Sequence, residues 1–484
     1  MEFNQQQQEE EEEEERFAEP VSPTGQYFNS SVLSICVLAV LESQVPIDDS
    51  PTMTLLQDVF LPINPRFSSI MVNDKNNGGR KWKRVEVKLK NHVNIPNFPS
   101  GLSPKAYDKY FNDYISTIAL EPLPQSQPLW EIHIIKYPTS KAAGNVIFKL
   151  HHALGDGFSL MGALLSCLQR LDNPNLPLTF PSLQIPSKPE IIISKNKKKS
   201  IIPKSFNSIF NTMSDFGWSL LKSSLVEDVK SPIRSGDDGV QFKPISLSTV
   251  TFSLDRIKQI KARLGVTIND VITGIIFYGI RLYMVEVNDR FSNAHSTALV
   301  LLNTRAIGGY KSVKEMVKPN AESAWGNRFG FLHVSMPELT KSAISNPLQF
   351  VENANQIIKR KRSSLAVDLT GRLLDALRKL RGPETTAKYI HSTLKNSSMT
   401  ISNVIGPVES MALANHPVKG LYFMVVGVPQ SLTITMVSYT GQLRVAVGAE
   451  KGFIDTQKFN SCIENAFEMI FKSACEIPFE GKIN

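Results

Sequence analysis

The densest group of reactive side chains in the sequence is His151-His152-Ala153-Leu154-Gly155-Asp156-Gly157. Two of the eight histidines stand side by side, and an aspartate follows between two glycines. An imidazole with its ordinary pKa of about 6.5 is largely neutral near pH 7 and can accept a proton. Gly155 and Gly157 admit backbone conformations closed to other residues, so the turn can be tight and can aim a histidine into a channel. The aspartate could either orient the imidazole or fix the turn by pairing with an arginine. Three other readings compete. Metal ligation lacks both the i, i+4 helical histidine pair and nearby Cys or His partners. A solvent-exposed histidine pair before a turn-forming Asp-Gly is a plain structural alternative. Nucleophilic catalysis has no Gly-x-Ser-x-Gly turn to support it.

The segments around this cluster must position it. Residues 131–136 (EIHIIK) and 145–150 (NVIFKL) are apolar and β-branched, which predicts strands. Leu160, Leu164, Leu168 and Leu171 then recur at helical spacing and predict an amphipathic helix over 158–171. The histidine cluster therefore sits on a strand-to-helix turn. Upstream, 30–41 (SSVLSICVLAVL) reads as a buried strand or helix, and its pattern does not decide between them. Further on, Ser253 and Thr267 precede two helical patterns as caps, with Asp270 three residues after Thr267 completing a capping box. Residues 297–302 read as a strand, alternating residues on either side of Thr440-Gly441 as a β-hairpin, and 459–471 as a closing helix.

At 484 residues the chain exceeds the usual size of one hydrophobic core, so an α/β (α+β) protein of two domains is expected. Residues 1–20 form a low-complexity acidic tail expected to be disordered, and 21–172 a first domain carrying the histidine cluster. Residues 173–243 read as a basic Pro/Lys-rich linker with an amphipathic segment, and 244–484 as a second domain. Charge divides the same way: residues 1–16 carry −7 against a total of +8, leaving the body at +15. A basic body suits a membrane surface, a phosphorylated small molecule or simple solubility. No zinc-finger, RNP or basic-zipper pattern points to nucleic acid. The four cysteines are scattered, which argues against a disulfide framework and fits a reducing compartment. No run of about 18 uncharged apolar residues suggests a clear membrane span.

HHALGDG resembles the HHxxxDG motif of acyl-CoA-dependent acyltransferases with the chloramphenicol-acetyltransferase-like fold. The wider chain is similar to one branch of these, the plant-type wax ester synthase/diacylglycerol acyltransferases. The likeness extends through Pro128-Leu129-Trp130-Glu131, Asn269-Asp270, Asn303-Thr304-Arg305, Trp325 to Gly330 (WGNRFG), Ser402 to Pro407 (SNVIGP) and the C-terminal hairpin. The DFGWG motif of plant BAHD acyltransferases, which share the fold, is absent. The resemblance implies two domains with a solvent channel at their interface. It also implies fatty acyl transfer from acyl-CoA to a long-chain alcohol or to diacylglycerol, with acyl-CoA as substrate and no permanently bound cofactor or metal. It makes His152, the second histidine, the general base. A thioester donor needs no metal, but an alcohol is a poor nucleophile until its proton leaves. Asn269 is the candidate oxyanion donor or site organiser, although helix capping accounts equally well for its neighbour Asp270. Asp156 is expected to be structural, with Arg305 as its salt-bridge partner. His151 is expected to shape the turn or touch substrate, and Gly157 to keep the channel floor open.

Lipid substrates imply a membrane surface as partner, at the cytosolic face of the endoplasmic reticulum or the plasma membrane. Lys195, Lys197, Lys198 and Lys199 could approach anionic headgroups, with Phe206, Phe210, Phe216 and Trp218 inserting behind them. The alternative for 206–225 is a helix packed on the second domain. Lys359 to Arg362 and the cations of 378–381 are candidate contacts for CoA phosphates, or else solvated helix faces. Two competing functions remain open at this point: a same-fold acyltransferase using a non-lipid alcohol or amine, and a non-catalytic lipid-binding relative.

Overall fold

The computed structural model describes residues 19–74, 79–176, 178, 202–304, 316, 325–362 and 364–475. The acidic tail, the Lys195–Lys199 run and Arg305 lie outside these residues. In chain order the strands are β1 (Cys36–Ser43), β2 (Ser69–Asp74), β3 (Gly79–Arg84), β4 (Val93–Asn94), β5 (Trp130–Ile135), β6 (Gly144–His151), β7 (Leu168–Arg170), β8 (Ile245–Ser253), β9 (Thr297–Asn303), β10 (Phe329–Ser335), β11 (Met399–Val404), β12 (Met411–Leu413), β13 (His416–Val426), β14 (Leu432–Tyr439) and β15 (Gln442–Glu450). The longer helices are α1 (Pro104–Leu120), α2 (Gly157–Ser166), α3 (Ile202–Ser224), α4 (Leu254–Leu264), α5 (Ile268–Asn288), α6 (Leu348–Arg362), α7 (Ala366–Arg381), α8 (Pro383–Lys395) and α9 (Thr456–Cys475).

Two mixed sheets form the frame. The first runs β4-β5-β6-β1-β13-β12-β7 and the second β10-β9-β11-β14-β15-β8. β1 and β6 are buried at every position, the mark of strands covered on both faces. Their antiparallel register sets Cys36 opposite His151, so the histidine cluster leaves the sheet beside the start of β1. The ambiguous 30–41 segment is thus resolved in favour of a strand. Each sheet has its own hydrophobic cluster, and an ion pair between buried Glu42 and half-buried Arg444 ties β1 of the first to β15 of the second.

Two expectations need revision. Residues 411–426 belong in sequence to 244–484, yet β12 and β13 complete the first sheet and pack in its core. The helix expected over 158–171 ends at Ser166, because Leu168 to Arg170 pair with β12 as an edge strand. Within 173–243, α3 packs against α7 and α8, which fits the second-domain reading of that stretch. Its end is anchored by a fully buried ion pair between Lys222 and Asp228. Burial pushes the Asp228 carboxyl up, but Lys222, Ser398 and the Thr297 backbone N–H more than reverse this and hold it below its usual range. Helix α5 with the turn that follows it, Ile268–Phe291, is long and apolar enough to cross a membrane, but most of it is buried inside the fold. It packs between α6 and α9 as the central helix of the second half.

Candidate active site

The histidine turn is held by partners from the far half of the chain. His152 Nδ1 lies 2.9 Å from Asn327 Oδ1, and Asn327 Nδ2 donates to the His152 carbonyl at 2.9 Å. The second bond fixes which way the amide faces. The atom meeting the ring is therefore an oxygen, a pure acceptor, and Nδ1 must carry the proton. This places the imidazole lone pair on Nε2. No hydrogen bond from a described residue engages that nitrogen. The ring stands between Phe28 and Phe329, at centroid separations of 4.9 and 5.4 Å. His152 keeps 8% of its surface exposed. Burial lowers its pKa below the ordinary value, and the Asp156 charge and the Asn327 bond oppose that shift. The result is an imidazole that favours its neutral form, with its lone pair on Nε2, in an aromatic pocket.

His151 has a different fate. It is completely buried. The Ala153 backbone N–H donates to its Nδ1 at 3.1 Å, so Nε2 carries the proton and donates to Ser34 Oγ, also at 3.1 Å. Burial, with the nearby His152 and Lys149, pushes its pKa down to about 3. Both ring nitrogens are committed inside the protein, which fits turn shaping and leaves no atom for a substrate.

Asp156 caps α2. Its Oδ1 accepts from the Ser159 N–H at 3.0 Å, and its Oδ2 accepts from the Arg328 N–H at 2.9 Å. Arg305, the expected partner, lies outside the described residues. The segment 325–328 closes on the turn at further points: Trp325 Nε1 donates to the Leu154 carbonyl, and Ser159 Oγ both accepts from Gly326 N and donates to its carbonyl. Gly326 adopts φ +125, a conformation open essentially to glycine. Arg66 adds a bond to the same Leu154 carbonyl. A Cβ on Gly157 would lie 3.2 Å from the Val404 side chain, so glycine lets α2 approach the end of β11.

Asn269 is exposed, and its Oδ1 accepts from Asn403 Nδ2 at 2.6 Å. Asn403 precedes Val404, so Asn269 reaches the end of β11 that meets Gly157. Among the described residues no hydrogen bond joins Asn269 to His152. Asp270 is occupied as a capping-box acid by Thr267 and as an acceptor for Asn355. Among the described residues, no group of three or more His, Cys, Asp or Glu could hold a metal ion. The residues that sequence reasoning missed are Asn327, Phe28 and Phe329. Only the WGNRFG stretch gave any signal for the first and last of these.

The sequence model of the wax ester synthase/diacylglycerol acyltransferase catalytic domain matches residues 60–272, and that of the WS/DGAT C-terminal domain matches 325–471. Wax ester synthase/diacylglycerol acyltransferase 4 of Arabidopsis thaliana is 28% identical over 449 residues, covering 89% of this chain and 85% of that protein. Number 11 of the same plant is 27% identical over 484 residues, covering 95% and 96%. Among solved structures, the wax ester synthase/diacylglycerol acyltransferase from Marinobacter aquaeolei VT8 superposes with a TM-score of 0.57 at 15% identity, over 94% of this chain and 99% of that one. The first condensation domain of the CDA synthetase matches with a TM-score of 0.53 at 12% identity, over 93% and 92%. The fold is that of the two-domain α/β acyltransferases.

Proposed function

This chain belongs to the wax ester synthase/diacylglycerol acyltransferase family and is an acyltransferase of neutral-lipid synthesis, and on that premise we propose that it moves a fatty acyl group from acyl-CoA to a long-chain alcohol or to diacylglycerol with His152 as general base. The observation that carries this reading is the Asn327 amide, which holds Nδ1 protonated and puts the lone pair on Nε2, where no described residue bonds it. Nε2 takes the hydroxyl proton as the alcohol oxygen bonds to the thioester carbonyl carbon. The tetrahedral oxyanion then collapses, the C–S bond breaks, and the imidazolium returns its proton to the CoA thiolate. A placed base contributes about 10²–10⁴-fold. Alignment of the two substrates and stabilisation of the oxyanion supply the rest. Asn269 is our candidate for oxyanion stabilisation or site organisation. Asp156 and His151 act by holding the turn, and Gly157 by keeping its approach to β11 close.

The thioester supplies the activation, so the reaction calls for no resident cofactor. Lipid substrates and the basic body together favour a cytosolic membrane surface, which we assign to the endoplasmic reticulum. The experiment is an acceptor panel. Purified protein is given labelled palmitoyl-CoA with hexadecanol, dioleoylglycerol, a phenol or an amine, and products are separated by thin-layer chromatography. Label in wax ester or triacylglycerol is the expected result. Label confined to the phenol or amine product would overturn the lipid-acceptor reading.

A further inference from the structure

Helix α7 differs from the other long helices of the fold. Leu369, Leu373, Leu374, Leu377 and Leu380 lie along it, yet Ala366 is its only buried residue. Leu380 is 81% exposed, and Leu365 just before the helix is 61% exposed. The stretch from Lys359 to Arg381 holds eight Lys or Arg against Asp368 and Asp375, a net +6. Asp375 pairs with Arg378 and Lys379, and Asp215 of α3 pairs with Arg360 and Lys361. Arg372 and Arg381 make no ion pair among the described residues. Exposed leucine beside surplus cation is the composition of a helix lying in a membrane interface.

The exposed surface continues onto α3. The Leu365 N–H donates to Thr212 Oγ1 at 3.3 Å, and the neighbouring Met213 is 69% exposed. Leu225, just past the end of α3, is 79% exposed. The inner side of α7 faces the site. Val367 fills the space where a Cβ on Gly330 would stand. Leu374 packs on the apolar cluster of Tyr27, Phe28 and Leu33, together with Phe329 and Phe331. Phe28 and Phe329 are the rings that flank His152. Burial raises the Tyr27 phenol to about 12, and the Arg378 charge pulls against that shift from α7.

We propose that α7, with the adjoining α3, is the face by which the protein lies on an anionic phospholipid bilayer, so that lipid substrate passes from the membrane to His152 beneath the same helix. The charge argues for the occupant: α7 itself holds Arg372, Arg378, Lys379 and Arg381 against Asp368 and Asp375, a net +2 that complements an anionic surface, and the exposed Leu365 and Leu380 suit the acyl boundary. This face differs from the Lys195–Lys199 run favoured by sequence pattern alone. The proposal deepens the lipid-acceptor reading and rests on it.

The test is flotation of the full chain with vesicles of phosphatidylcholine alone or with 30% phosphatidylserine. Two variants are compared with wild type, Leu365→Glu/Leu380→Glu and Arg372→Glu. Turnover of octanoyl-CoA with hexanol, both soluble, and melting temperature serve as controls. Wild type is expected to float with the anionic vesicles and to be released by salt. Each variant should lose about five-fold or more of that binding. Soluble-substrate turnover and melting should be unchanged. Equal flotation of variants and wild type, or no flotation of wild type, would overturn the proposal. So would variants that float normally but raise the KM for acyl-CoA, which would make the patch a CoA site, or variants that change only self-association. Flotation by a wild type that transfers no acyl group to lipid would sink the acceptor reading and leave the docking face standing.

Discussion

The turn at 151–157 and helix α7 lie on either side of Phe329, and they are built on opposite terms. In the turn, His151, His152 and Asp156 are buried and bonded to partners drawn from Ser34 ahead of β1, from α2 and from the 325–328 segment. In α7, Arg372, Leu380 and Arg381 are exposed, and one residue in sixteen is buried. Proton transfer needs one nitrogen held in one tautomer, which demands satisfied, rigid neighbours. Lipid access needs exposed apolar and cationic groups, which no soluble core would tolerate. The contrast separates two kinds of defect. Changes in the turn should fail with every substrate, whereas changes on the outer side of α7 should fail only where a bilayer is involved.

The largest effect expected is on chemistry. His152→Ala should lower kcat by about 10²–10⁴-fold with hexadecanol and with hexanol alike, in a protein that still folds. Turnover close to wild type would remove the base assignment. The next effect is on acid stability. The folded protein holds His151 near pKa 3, while the unfolded chain takes up a proton near 6.5. Stability from this group is complete above pH 6.5 and declines as pH falls toward 3. His151→Gln should flatten that decline by ~2–4 kcal/mol in urea titrations compared with wild type. An identical pH dependence would contradict the buried neutral ring. Asp156→Ala removes a helix cap and leaves the Arg328 N–H without this acceptor. It should cost about 2–3 kcal/mol, read as a lowered urea midpoint. A variant of wild-type stability that is nonetheless inactive would point to direct catalysis instead. The smallest effect is on the exposed side, where Leu365→Ala should change stability by less than about 0.5 kcal/mol. A larger loss would show that this leucine is packed in solution.

Much of the turn was legible because its determinants are local. Paired histidines, flanking glycines, a β-branched run before them and leucines after them specify a strand-to-helix turn within about twenty residues. The Thr267–Asp270 capping box was legible for the same reason. Asn327 was not, because it is 175 residues from His152 and an amide in a loop carries no periodic signal. The placement of β12 and β13 in the first sheet was hidden as well. Alternating apolar residues report that a strand is buried, not which sheet it joins. Leu168 fits both a helical spacing and a strand, and pairing with β12 decided between them. The cationic residues of α7 read as CoA contacts or a solvated face, and no periodicity showed that Leu365 and Leu380 beside them stand outside the core.

The pH dependence of kcat/KM in wild type and in Asn327→Asp bears most directly on the claim that His152 Nε2 receives the proton. Wild type should lose activity on an acid limb below pH 6.5, because burial lowers the pKa of His152 and only the neutral ring acts as base. A carboxylate in place of the Asn327 amide favours the imidazolium, so the limb should move to higher pH. A limb that stays where it is in a folded, active Asn327→Asp protein would mean that the titrating group is not His152.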